Sequence, residues 1–161
     1  MPELKADAIA LGRDERLHAI LRDICATTNM GFAAVARVTE ERWIACLVED
    51  RIAFGLDPGG ELKIHETICE EIRDSGEAVV IDDVSDDIKW SRHPVPVIYG
   101  FKSYCSFPVY LEDGSFFGTL CALDPAPRHV ADDDIVAMFT RYAKEVGAIL
   151  SEARREARSP A

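Results

Sequence analysis

The chain of 161 residues has no apolar run of the roughly 18 residues that a helix needs to span a bilayer, which excludes a membrane partner of that kind. Met1 to Ala10 holds one lysine and two acids but no sustained apolar stretch and no small-residue cleavage site, so no secretory signal is expected and the setting predicted is cytoplasmic. No C-x-x-C pair occurs. Five cysteines, Cys25, Cys46, Cys69, Cys105 and Cys121, are scattered and odd in number, which suits reduced thiols better than a disulfide framework. Basic charge is scarce: 18 Lys and Arg against 29 Asp and Glu give a net charge of −11, a surface that repels phosphate and excludes nucleic acid as a direct partner. There is no Ser-His-Asp order, phosphate loop or dinucleotide fingerprint. The glycines of Gly55 to Gly60 lack both the G-x-G spacing and a following Lys-Ser or Lys-Thr.

What is present reads as one layered α+β domain. Leu17, Ile20, Leu21, Ile24 and Cys25 recur at helical spacing and predict an amphipathic helix over Asp14 to Thr28, ended by Gly31. Phe32 to Val38 and Trp43 to Val48 read as a hairpin, Gly55 to Gly60 as turn chemistry, and Ile64 to Asp74 as a short helix. Ala78 to Val84 reads as a strand, and Ser85 to Gly100, broken by Pro94 and Pro96, as an irregular lid. Phe101 to Leu111 and Ser115 to Leu123 flank an Asp-Gly, the strongest local hairpin signal. With Asp113 and Gly114 central, Cys105 faces Ala122 and Ser106 faces Cys121, so Cys105 and Cys121 point to opposite faces and cannot pair. Asp132, Asp133 and Asp134 cap a last helix of about 20 residues or more, with a stripe of Ile135, Met138, Phe139, Tyr142, Val146, Ile149, Leu150 and Ala153. Arg154, Arg155 and Arg158 lie where a helix dipole is negative.

Several strings resemble the GAF family, in particular the GAF domains at the front of bacterial sensor kinases and diguanylate cyclases. They are Thr67-Ile68-Cys69, Val79-Val80-Ile81-Asp82-Asp83, Gly100-Phe101-Lys102-Ser103-Tyr104, Phe107-Pro108-Val109, and Phe117-Gly118-Thr119-Leu120-Cys121-Ala122-Leu123-Asp124. The resemblance implies a domain over 12–158, with 1–11 an N-terminal extension and 159–161 a tail. It also implies an antiparallel sheet of five or six strands, with the terminal helices on one face and a ligand pocket on the other. The pocket would be covered by Ile64 to Asp74 and Ser85 to Gly100. Its expected ligand-binding residues are Ile68 and Cys69 from the first cover, Trp90, His93 and Tyr99 from the second, and Tyr104, Ser106, Thr119 and Cys121 from the sheet.

The expected function is a regulatory domain that senses a small molecule and passes pocket occupancy to an effector through its terminal helices. No catalytic residue and no metal site is assigned, and the residues single out no cofactor. His65 and Cys69, four apart, could put two metal ligands on one helical face, with His93 and Cys121 approaching. Thr67-x-x-Glu70 fits a capping box that would instead leave His65 outside the helix. Cys69 reads either as a small buried apolar side chain or as a pocket thiol activated by a helix N-terminus. Related bilin photoreceptors use a Cys-His pair or an N-terminal cysteine, and the cyclic-nucleotide class carries an Asn-Lys and a later Phe-x-x-x-Asp-Glu. The methionine sulfoxide reductases of this family use a lid cysteine. None of these features occurs here, where the only asparagine is Asn29. A ligand-free dimerisation module is the alternative, and a thiol redox enzyme or a bilin or haem photosensor the third reading. A homodimer through the first and last helices is expected, with Ile149, Leu150 and Ala153 left over for the partner helix.

Overall fold

Leu17, Ile20, Leu21, Ile24 and Cys25 share one side of a helix because they recur at three- and four-residue steps, and all five are buried in α1, Glu15–Thr28. The computed structural model describes residues 8–40, 42–52, 54–63, 72, 75–86 and 100–158. Asp14 caps α1 from an extended conformation and accepts the Arg16 N–H at 2.8 Å. The Arg16 guanidinium, hydrogen-bonded to the same carboxylate, holds the Asp14 carboxyl below its ordinary range. The helix ends at Asn29, not at Gly31: Asn29 takes the left-handed conformation (φ 63°), which asparagine tolerates better than most side chains. Residues 8–11, expected to belong to an extension, form a helical turn whose Ala8 and Leu11 are buried in the core beneath α1.

The strands are β1 (Phe32–Val38), β2 (Arg42–Asp50), β3 (Glu61–Lys63), β4 (Val79–Ile81), β5 (Ser103–Tyr110) and β6 (Phe116–Asp124). They form one six-stranded sheet in the order β3-β2-β1-β6-β5-β4, antiparallel throughout. β3 was not foreseen; three residues are too few to show a period, and its place is fixed by pairing with Arg42–Ile44 and by the Arg42–Glu61 ion pair at 2.8 Å. β4 is shorter than the expected run of Ala78 to Val84. The chain leaves the ladder at Asp82, whose carboxylate is engaged elsewhere, and enters a 3-10 helix, Val84–Asp86, as Val84 N–H donates to Lys102 O.

The β5–β6 register is the expected one, reached by two deviations that cancel. Gly114 N–H donates to Leu111 O and Leu111 N–H to Ser115 O, so the loop has three residues with Gly114 in the left-handed region (φ 86°), not two. That shift is undone at Phe117, an extra residue in β6, because Tyr110 pairs with Phe116 while Val109 pairs with Gly118. From there Ser106 faces Cys121 and Cys105 faces Ala122. Cys105 belongs to the helix-side core and Cys121 to the opposite one.

The last helix, α2 (Asp133–Arg158), begins where the Asp132 carboxylate accepts the Asp134 N–H at 2.8 Å. It packs beside α1 on one face of the sheet, with Phe139 stacked on Phe107 at 5.0 Å and 6° between planes. Arg16 to Glu152 (3.1 Å) and the Tyr142 hydroxyl to Asp23 clasp the two helices together at their outer edges. Donating its hydrogen bond to the Asp23 carboxylate raises the Tyr142 pKa. Among the described residues no helix is long and apolar enough to cross a membrane.

One expectation fails here. Leu150 is 0% exposed and Ile149 8%, both within the helix-side core of the single chain, so they are not left over for a partner. The stripe of α2 is wide enough for the sheet and α1 together, because the hairpin tip reaches as far as the last turns. A partner helix would have to meet α2 on its exposed Ala137, Arg141, Lys144 and Ala148. Leu150→Ala should therefore lower the unfolding free energy by about 2–5 kcal/mol in urea titration, and Leu150→Glu should abolish cooperative folding. A folded Leu150→Glu protein altered only in oligomeric state would contradict this placement.

Cys25, Cys46, Cys105 and Cys121 are buried and form no disulfide. Burial pushes the Cys25 thiol up to about 11 and raises Cys105 further, with the Asp82 charge adding to the effect at Cys105. Iodoacetamide mapping of the native protein near pH 7.5 should leave these four unlabelled until denaturant is added, with Cys69 reacting first. Labelling of Cys25 or Cys105 at the rate of a free thiol would contradict it.

Candidate functional site

The face of the sheet away from the helices is ordered by its register. Ile81, Tyr104, Leu123 and Phe32 lie side by side across four strands. One step along come Val79, Ser106, Cys121 and Ala34, and one step further Pro108, Thr119, Ala36 and Ala45. Beyond these, Val38 pairs with Trp43. Two central rows of short side chains are thus bounded by bulky ones, Tyr104, Leu123 and Phe32 at one end and Val38 and Trp43 at the other. Side chains alternate along a strand, so these small residues fall together on one face of the sheet only.

Ser106, Thr119, Ala34, Ala36 and Ala45 are each 0% exposed and Cys121 4%. Leu56, Ile72, Val84 and Phe101 join the same buried cluster from outside the sheet. Phe101 stacks on Tyr104 at 5.0 Å and Phe54 lies against Phe32 at 4.8 Å, which builds an aromatic wall at the Tyr104 end. The face is apolar apart from Ser106, Thr119, Tyr104 and the Cys121 thiol. The chemistry this permits is orientation of a bound molecule by a few hydrogen bonds within a mostly apolar enclosure.

Two carboxylates hold the frame around this floor. Asp124, 3% exposed at the end of β6, accepts Gly31 N–H (2.8 Å) and Ala126 N–H (2.9 Å) and pairs with Arg128 at 3.2 Å. Asp82, at the end of β4, accepts Val130 N–H (2.7 Å) and Ala131 N–H (2.6 Å). The Asp82 carboxylate is thus committed to backbone donors. Among the described residues no group of three His, Cys, Asp or Glu could hold a metal ion.

Of the expected site residues, Tyr104, Ser106, Thr119 and Cys121 are brought together on this face as the register required. Ile68, Cys69, Trp90, His93 and Tyr99 lie outside the described residues, as do His65, Thr67 and Glu70. The sequence reading missed Ala34, Ala36 and Ala45, as well as Phe32, Trp43 and Phe101. The signal was there in Phe32-Ala33-Ala34-Val35-Ala36, a strand whose alternate positions carry no more than a methyl group. Toward the helix side, an open groove of about 780 Å³ runs between α2 and the free edge of β5, lined by Phe107, Val136, Thr140 and Ala143 among others.

The fold has many solved counterparts. A red/green cyanobacteriochrome in its red-absorbing state superposes with a TM-score of 0.72 at 15% identity, over 90% of this chain and 97% of that one. A type II free methionine-R-sulfoxide reductase from Thermoplasma acidophilum gives 0.65 at 13% identity, over 92% and 96%. A domain described as part of a two-component sensor histidine kinase from Sinorhizobium meliloti 1021 gives 0.60 at 20% identity, over 89% and 93%. At such identities the likeness shows the fold alone. No curated protein matches by sequence. The model of the GAF domain family matches residues 12–150, which takes in α1, the whole sheet and most of α2, and the chain belongs to that family.

Proposed function

We propose that this GAF domain binds a small, largely apolar molecule on the small-residue floor of its sheet and relays occupancy through its terminal helices to an effector. The observation that carries the reading is the pair of central rows, Ser106-Cys121-Ala34 and Thr119-Ala36-Ala45, set between bulky rows. A sheet face that needs only to be covered by its own chain has no reason to place its shortest side chains together at the centre and its aromatic ones at the ends. The hydroxyls of Ser106 and Thr119 and the Tyr104 hydroxyl supply polar selection. No residue of the floor carries a charge, which favours an uncharged ligand surface against it.

Membership of the GAF domain family supports a binding or regulatory role more than a catalytic one. A reductase is among the solved counterparts, but the buried Cys121 here stands beside Ala34 and Ser106, with no second thiol across from it in the register. The route out of the domain is α2, which starts beside Asp82 at one end of the site and ends at the β5–β6 hairpin tip.

Native mass spectrometry of the purified protein should show a noncovalent mass increment that is lost on denaturation. Ala36→Leu should abolish the increment while leaving the protein folded, since the added side chain occupies ligand space. A bare-chain mass, with Ala36→Leu destabilised by about 1–3 kcal/mol as an overpacked core would be, would mean the floor is filled by the chain itself and would favour a ligand-free association module.

A further inference from the structure

The last turns of α2 are fastened to the tip of the β5–β6 hairpin by a set of side-chain contacts. Ser151, buried in the helix, accepts the Glu112 N–H at 3.0 Å while its own hydroxyl donates to Gly147 O at 2.8 Å. One turn on, Arg155 meets the Glu112 carboxylate at 2.7 Å. Arg154 lies over the Phe117 ring at 5.5 Å, and Arg37 of β1 lies 5.0 Å from the same ring. Gly147 allows the approach: a Cβ there would stand 2.1 Å from Tyr110 O. Glu112 is the first residue of the turn, and Phe117, beyond it, is the extra residue of the β6 bulge, two positions from Thr119 on the floor.

The bulge therefore has one output on each face of the sheet. Thr119 carries its neighbours on the floor side, and Phe117 carries the guanidinium of Arg154 on the helix side. Arg37 donates to Val38 O (3.3 Å) and to the Phe117 carbonyl, so the bulge is tied to β1 as well. α1 meets the sheet through its apolar stripe and a His18–Glu49 contact at 3.4 Å on β2, its first turn reaches Glu152 of α2 through the exposed Arg16, and it ends at Asn29.

We propose that the β5–β6 hairpin tip and the last two turns of α2 form one coupled element, in which Ser151 and Arg154 act as positioning residues. A displacement of the tip is converted there into a change at the end of α2. That this element serves ligand sensing rests on the proposed function; the coupling itself does not, and it is tested without a ligand.

The test is hydrogen–deuterium exchange of the full chain in a mutant cycle. Gly114→Val strains the turn, because Gly114 sits at φ 86° where a β-branched side chain is disfavoured. Exchange over 147–155 should then rise about tenfold, while residues 20–28 of α1, beyond the Arg16–Glu152 pair, keep their protection. In the Ser151→Ala/Arg154→Ala background, Gly114→Val should still loosen 108–119 but add nothing over 147–155. Gly114→Ala, a milder strain, replaces Gly114→Val if the latter fails to fold. Unchanged exchange over 147–155 in Gly114→Val, or an equal increment with and without Ser151 and Arg154, would overturn the coupling. A missing ligand in mass spectrometry would leave that result intact.

Discussion

The buried Asp124 carboxylate is the constraint on which the arrangement depends. It stands at the end of β6, at the centre of the sheet, and it takes the Gly31 N–H from the segment leaving α1 and the Ala126 N–H from the segment approaching α2. One side chain thus fixes both connections between the helix layer and the central strand pair β1–β6. The backbone joins in, as Lys102 N–H donates to Asp124 O and the Ser103 hydroxyl to Ala126 O, bringing the start of β5 into the same knot. Asp82 does the corresponding work from the sheet edge by capping Val130 and Ala131. Between these two acids the short connector 125–131 has little freedom, and the direction of α2 follows from it. A charge buried to this degree is tolerated only because each oxygen is matched by donors.

With the connector fixed, the two faces of the sheet take different roles. The helix side is filled by long side chains, among them Leu17, Leu21, Ile24, Phe107, Phe139 and Leu150, as expected where two helices must be held against strands. The other side has its bulk at the ends of the strands and its smallest residues in the middle. The same strands supply both faces, so the contrast is written in alternate residues: Ala33 and Val35 face the helices, Ala34 and Ala36 the floor.

Much of this was legible in the sequence where periodicity was long. The 3.6-residue stripes gave α1 and α2, and alternation with Asp-Gly gave the β5–β6 pair and the faces of Tyr104, Ser106, Thr119 and Cys121. The register came out right although the turn did not, because the three-residue loop at Gly114 and the bulge at Phe117 shift pairing in opposite senses. Nothing local reports a bulge, which is defined by the partner strand. β3 escaped for the same reason, being three residues held by Arg42 to Ile44. The surplus assigned to Ile149 and Leu150 was an error of geometry: a stripe alone does not say how many elements share it, and here the sheet and α1 both do. The alanines of the floor were passed over because a small residue carries no chemistry of its own, and its meaning appears only when rows from four strands are set side by side.

The most direct test of the central constraint is the urea unfolding free energy of Asp124→Ala against that of the wild type. The substitution leaves the Gly31 N–H buried without its acceptor and Arg128 without its carboxylate, so a loss of about 3 kcal/mol is expected, with Asp124→Asn recovering part of it through the amide oxygen. A loss below about 0.5 kcal/mol, the range of ordinary surface substitutions, would show that the helix connectors are fixed by something other than this carboxylate.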